Sequence, residues 1–533
     1  MRSFWRPVAA ASAALALATG LGGCGRTHKA SPPVPPAVRE LTLALIGQPA
    51  SLDPLQVSDA SGFAVDSLVY DGLVRVAPDL SVRPDLALSW KVSPDGQVYT
   101  FHLNPRARFQ DGAQLTAADV VFSFSAYRAP RNGSALARQL GVVRSVEALS
   151  PSTVRIALTR AYAPFLVQMA SLPILPKHLL AAAGSGSRFL GQRDLSALPV
   201  GSGPFRIVRS AASSVLLRRN PHYFLGTPKV QELRILFAAS ATVALNDLRH
   251  GRVDYAPVPA LDVHAVSTWP NVRMQHAVAL QFASIVWNTD VSPLANPALR
   301  RALGLAVDRR KIVAAALGGN GAISDGPVPP SSWAYDKSLG TRPFDPSQAL
   351  AILKGLGWRH VRGVLENAKG QPLRLTILAT GGAASRTVAL GLVVRDLTAL
   401  GVRVSVHRAA FAQYLEDFIT GNFQAAFVER GLTADPDVTA YFGSPRINSS
   451  GQNAGLYRNP VVDEALVAER RTTARSARRT AIRRMEQAMA ADPPALFLYF
   501  PYDVVALSSR FGHFAIDPVG TFWSPQDWQG ERP

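Results

Sequence analysis

Apolar and polar positions change period several times along this 533-residue chain. "ELTLALIG" (40–47) is an almost continuous apolar run stopped by Gly47 and Pro49, which predicts a buried strand. In "SWKVSPDGQVYTFHLNPRARFQDG" (89–112), Pro94-Asp95-Gly96 separates two strand-like runs, and apolar or aromatic positions alternate from Val98 to Leu103. That pattern predicts a hairpin. "TAADVVFSFSAYR" (116–128) reads as a helix, with Thr116 as its cap and Asp119 as the capping-box partner near the positive end of the dipole. Two further helices carry a capping residue followed by proline. One is "NPALRRALGLAVDRRKIVAAAL" (296–317), with Leu299, Leu303, Ala306 and Val313 on one face; the other is "DPSQALAILKGLGW" (345–358), stopped by Gly355 and Gly357. Strand-like "LRLTILA" (373–379) and "VRVSVHR" (402–408) bracket a helical run, "RTVALGLVVRDLTALG" (386–401). Strand, helix and strand at this spacing predict a parallel α/β unit.

The amino terminus follows a different rule. Arg2 and Arg6 precede "PVAAASAALALATGL" (7–21), an apolar run of the kind found in export signals. It is shorter than the roughly 20 residues of a permanent membrane span, and no later stretch is both long enough and free of charge. Cys24 is the only cysteine, which excludes an internal disulfide framework and a zinc site of several thiolates. Leu21-Gly22-Gly23-Cys24 resembles the bacterial lipobox, in which the cysteine is acylated on sulfur and becomes the first residue of the mature chain. Residues 1–23 are then a lipoprotein signal peptide, and the polar, proline-rich 24–38 a tether that forms no core. An ordinary cleaved signal with an incidental cysteine is the alternative.

Composition adds a formal net charge of +19, from 56 basic and 37 acidic residues. Such a balance suits an acidic partner. The basic residues are spread along the chain, however, and the densest cluster, "ERRTTARSARRTAIRRMEQ" (469–487), reads as the solvated face of a helix. Export argues against a nucleic-acid partner. Enzyme signatures are missing: there is no His-Glu-x-x-His, no phosphate-binding Gly-x-x-x-x-Gly-Lys-Ser/Thr loop and no Gly-x-Ser-x-Gly elbow. "GSGSR" (184–188) has the wrong spacing for an elbow, and Gly201 and Gly203 in "VGSGPF" (200–205) mark a tight turn before a strand. The ten histidines lack ligand spacing, so neither metal nor cofactor is expected. "ERGLTADPDVTAYFGS" (429–444) sets Asp435 and Asp437 beside Tyr441 and Phe442, just after the strand-like "FQAAFV" (423–428). A carboxylate with aromatic walls at the carboxyl end of a strand suits a ligand ammonium group; the other reading is a structural cap.

Several segments together resemble one family, the solute-binding lipoproteins of peptide and nickel ABC importers, extracellular family 5. They include "SLDPLQVSDASGFAVDSLVYDGLVR" (51–75), "PDLALSWKVSPDGQVYTFHLNPRARFQDGAQLTAADVVFSF" (84–124), "ILPKHLL" (174–180), "PVGSGPFRI" (199–207), "RRNPHYF" (218–224), "GRVDYAP" (251–257), "WNTD" (287–290) and the segments at 296–313 and 344–358. The resemblance implies an α/β, two-lobe periplasmic binding protein of type II, cluster C-like, with an extra subdomain inserted in the first lobe. Its expected divisions are 39–285 for the first lobe, with the insert at roughly 60–195, then 286–495 for the second lobe and 496–533 for the return. Crossings between lobes are expected near Ser284–Asn288 and in "PPALFLYFP" (493–501). It further implies a monomeric, non-enzymatic receptor, lipid-anchored in the cell envelope, that hands a peptide or similar small solute to an ABC permease and ATPase complex. Gly431-Leu432-Thr433-Ala434-Asp435 overlies the segment that supplies an aspartate to the peptide amino terminus, with leucine in place of the usual tryptophan. Asp435 is thereby the first candidate ligand contact, with Asp437, Tyr441 and Phe63 beside it. Family members also carry nickel chelates and oligosaccharides, and an extracytoplasmic sensor or an exported hydrolase are the other function classes.

Overall fold

A computed structural model describes residues 40–130, 134–170, 172–181, 199–447, 452–516, 518–520 and 522–530. The leader, Cys24, the tether and "GSGSR" lie outside the described residues. The first predicted strand forms over Glu40–Ile46 and pairs in parallel with Glu232–Ala238 and Tyr255–Pro257 on either side. Neighbours on both edges account for its continuous apolar run, since Leu41 and Leu43 are fully buried.

The hairpin is Ala87–Val92 with Val98–Leu103, paired antiparallel around a turn in which Gly96 takes a φ of 70°. Thr153–Leu158 and Val143–Ser150 extend it to four strands. Tyr99, Phe101 and Leu103 are buried while the intervening residues are half-buried, the period-2 alternation of a sheet with one covered face. The Thr116 box forms as expected: the Asp119 carboxylate accepts from the Thr116 backbone N–H and hydroxyl, both at 2.9 Å. It also accepts from the Lys177 N–H at 3.1 Å, so the cap ties a distant segment to this helix.

The segment expected as one helix over 296–317 is two, Pro297–Leu305 and Arg309–Leu317. Asp308 causes the break. Its side chain accepts from the Lys311 N–H at 3.0 Å, starting a new helix, while its own N–H donates to Asp396 at 3.0 Å. The α/β unit forms as predicted: Arg374–Thr380 and Arg403–Ala409 are parallel neighbours joined by the helix Ala384–Ala399.

One strand, Ala495–Ser508, stands at the centre of a 12-stranded sheet. Its first residues pair with Gln281–Trp287, and its later ones with Val272–Val278 and Tyr255–Pro257. The chain passes between these partners at Ala279, whose N–H donates to the Pro501 carbonyl at 2.9 Å. On one side of this passage a core forms around Leu43, Phe101, Leu233 and Trp528. On the other, Ile285, Leu375 and Val393 pack on one face of the sheet, and Phe282, Val428 and Tyr457 on the opposite face. The result is two α/β lobes sharing one central strand.

Candidate functional site

Residues of the strand Ala425–Gly431 alternate between the two cores of the second lobe, so Ala425 and Phe427 face one and Ala426 and Val428 the other. Past Gly431 the chain leaves the sheet and runs along the other lobe. The Leu432 N–H donates to the Leu280 carbonyl at 2.7 Å, and Ala434 packs with Val76, Leu80 and Leu280. A narrow crevice of about 10 Å³, room for little more than one water, lies there, walled by Leu80 from the first lobe and by Pro327, Pro329, Val438 and the loop holding Asp435 from the second.

Asp435 is buried, and both of its oxygens are engaged. Oδ2 accepts from Arg478 Nη1 at 2.8 Å and Oδ1 from Nη2 at 2.6 Å. Oδ1 also accepts from the Asp437 N–H at 3.1 Å, which shapes the turn. Arg478 donates further to Glu469, from Nη2 to Oε2 at 2.6 Å and from Nε to the carbonyl at 3.1 Å, and lies 5.3 Å from the Trp333 ring centroid. Burial pushes the Glu469 carboxyl up to about 8, Asp437 and Asp435 add to the rise, and Arg478 opposes it. The rise favours the protonated form of Glu469 beside the Arg478–Asp435 pair. Burial works against the Arg478 charge, yet its bonds to Asp435 and Glu469 hold its pKa above the ordinary arginine value. From the first lobe, buried Tyr99 is pushed up to about 12 by desolvation, with Arg478 lowering and Asp435 raising it.

Asp437 makes a second pair, with Arg470 Nε at 3.2 Å. Its Oδ1 accepts from the Thr439 N–H at 2.9 Å, a turn that leads into the short helix Thr439–Phe442. Arg470 reaches across to the first lobe: its guanidinium lies 4.9 Å from the Tyr162 ring centroid, and its carbonyl accepts from the Ala163 N–H at 2.8 Å. Tyr441 donates its hydroxyl to the Gly431 carbonyl and stacks over Arg430 at 4.5 Å. Arg430 is buried with no carboxylate partner among the described residues, and burial pulls its pKa down to about 10.

The loop thus brings Asp435, Asp437 and Tyr441 together. Phe63 stands apart on the helix Ala60–Val69, 40% exposed and not among the residues walling the pocket. Sequence reasoning missed Arg478, Glu469 and Trp333. The cluster expected as a solvated helix face is solvated at Arg475, Arg479, Arg483 and Arg484, but Arg478 is buried. The missed signal is its period: Arg478 recurs with Ala481, Ile482, Met485 and Met489 on the buried side of Arg475–Ala491. Among the described residues no group of three or more His, Cys, Asp or Glu side chains converges as a metal site, and no helix is long and apolar enough to cross a membrane.

Residues 81–453 match the family model for bacterial extracellular solute-binding proteins, family 5 Middle. Protein XP55 of Streptomyces lividans is 29% identical over 510 residues, covering 95% of this chain and 92% of the relative. The oligopeptide-binding protein AppA of Bacillus subtilis is 25% identical over 528 residues, covering 96% of each. The crystal structure of NikZ from Campylobacter jejuni in complex with Ni(L-His) superposes with a TM-score of 0.75 at 26% identity, covering 92% of this chain and 99% of that one.

Proposed function

Because the chain belongs to the extracellular solute-binding proteins of family 5, we propose that it is the lipid-anchored substrate-binding component of an ABC importer, capturing a peptide or similar small solute between its lobes for a permease and ATPase complex. The observation that supports this reading is that walls from both lobes, Leu80 on one side and Leu432–Val438 on the other, face each other across the narrow crevice at Asp435. A solute that touches both walls stabilises the closed arrangement over the open one, and closure is then the signal that a permease reads. The oligopeptide-binding name of AppA favours a peptide, and the nickel–histidine complex in NikZ defines the competing class.

Calorimetric titration of the full chain with tripeptides to nonapeptides and with nickel–histidine chelate is expected to give saturable one-to-one binding to a peptide, without turnover. Saturation by the chelate alone would move the ligand class, and saturation by neither would overturn the reading. Anchoring has its own test. Expressed in bacteria, the chain should partition with detergent and carry an acyl mass on Cys24, whereas Cys24→Ser should move to the aqueous phase. Equal partitioning of the two proteins would remove the anchor.

A further inference from the structure

Asp503 stands where the central strand passes from one lobe to the other. Every other position of Ala495–Ser508 is buried or half-buried, and Asp503 alone is exposed. On its second-lobe side the Tyr502 N–H donates to the Asn320 carbonyl at 3.0 Å, and the Pro501 carbonyl accepts from the Ala279 N–H at 2.9 Å. On its first-lobe side the alternation of the strand sets Asp503, Val505 and Leu507 on one face, and Val505 and Leu507 belong to the core against which Tyr255 packs. Asp503 continues that apolar row to the junction of the lobes, where the row opens to water.

Its carboxylate is unpartnered. Among the described residues it makes no ion pair or hydrogen bond, and no arginine or lysine acts on its ionisation; desolvation alone raises it to about 6. A side chain that meets water and is still desolvated by dense surroundings lies in a concavity rather than on a convex surface. Exposed aspartates in outer turns behave the other way, since hydrogen bonds, chiefly with Ser81 and Ser93, lower Asp79 and Asp95. The Asp503 charge reaches Tyr255, adding to the burial that raises its hydroxyl, and the Tyr255 ring lies 5.5 Å from Phe514 and 6.0 Å from Phe522. Asp435, by contrast, gives both oxygens to Arg478.

We propose that Asp503 receives a cationic group of the solute, an ammonium or guanidinium, so that this protein selects solutes with a positive charge at the end nearest the central strand. The inference rests on the reading of the chain as a solute-binding protein, and it places the charge-recognising residue on the one strand that both lobes share. A cation there forms a charge-assisted hydrogen bond with a carboxylate that water screens only in part, and no internal pair has to break first. A neutral end leaves that carboxylate desolvated and unpaired.

The test is calorimetry near neutral pH on the full chain, wild type and Asp503→Asn, with tripeptides in matched free-amino and N-acetylated forms and with putrescine as a cation that is not a peptide. Wild type is expected to bind the free-amino form at least tenfold more tightly than the acetylated form. Asp503→Asn keeps the shape and removes the charge, and it is expected to lose at least tenfold for the free-amino form and less than threefold for the acetylated one. A free-amine preference that survives in Asp503→Asn, or no preference in wild type, overturns the proposal while peptide binding stands. Putrescine binding that Asp503→Asn abolishes, with no peptide bound, upholds the proposal and removes the peptide reading. If wild type binds none of the probes, both fall. Should Asp503→Asn fail to melt cooperatively, Asp503→Ser is judged by the same criteria.

Discussion

Gly201→Ala is expected to destabilise the protein by at least about 3 kcal/mol, because a β-carbon cannot be placed there without moving backbone. A Cβ at Gly201 would sit 1.9 Å from the Val69 carbonyl oxygen, and one at Gly203 would sit 2.6 Å from the Val69 carbonyl carbon. The two glycines bracket Ser202, whose hydroxyl donates to Asp71 at 2.8 Å, while Tyr223 donates to the other Asp71 oxygen at 3.0 Å. Gln110 completes the junction by donating to the Val69, Gly203 and Phe205 carbonyls. A methyl group at 201 would push the segment off the end of the helix Ala60–Val69 and break these bonds together. Urea unfolding monitored by circular dichroism should show a lowered midpoint for Gly201→Ala. A midpoint within error of wild type would show that the junction yields without cost.

Acidification from pH 8 to pH 5 is expected to stabilise the protein. Burial raises both Glu469 and Glu486 to about 8; Asp437 adds to the first, while Asp336 adds to the second and a hydrogen bond from the Val328 N–H opposes it. In the unfolded chain a glutamate titrates at about 4.3, so between the two values the folded state holds protons that the unfolded state releases. The stabilisation is complete below the unfolded pKa and is lost as pH rises through the folded one. Each group contributes a slope of about 1.4 kcal/mol per pH unit within that window, and the two together about 3. Asp71 and Asp503, raised by burial to about 6, act in the same direction over a narrower range. Denaturant midpoints at pH 5.5, 6.5 and 7.5 should fall steadily, and Glu486→Gln should remove about half of the glutamate slope at the upper end. A wild-type midpoint that is flat or rises with pH would mean that these carboxylates are ionised in the folded protein.

The residues that betray local structure are those whose partners are close in sequence. Thr116 and Asp119, Asn296 and Pro297, and the alternation from Val98 to Leu103 could be read directly, because each element is fixed within a few positions. The break at Asp308 was hidden because the apolar period continues through Ala306 and Val313, while the group that takes the Asp308 N–H is Asp396, 88 residues on. The Asp435 loop was legible as a place but not as a charge state. Arg478 lies 43 residues downstream, in a stretch whose charge density favours a solvated reading, and only the tertiary fold turns that one arginine inward. Asp437 and Tyr441 followed the same rule: proximity was visible, but the pairing with Arg470 and the stacking on Arg430 were not.

The strand Ala495–Ser508 also sets the order in which the molecule can assemble. Its partners lie at Tyr255–Pro257, Val272–Val278, Gln281–Trp287 and Gly321–Ala322, so every one of its pairings closes a long loop, the shortest between Ala322 and Phe500. Neither lobe can complete its sheet until this late strand has been delivered, and a chain ending before Ala495 would leave open strand edges in both. The two lobes therefore finish folding together, on this one late strand.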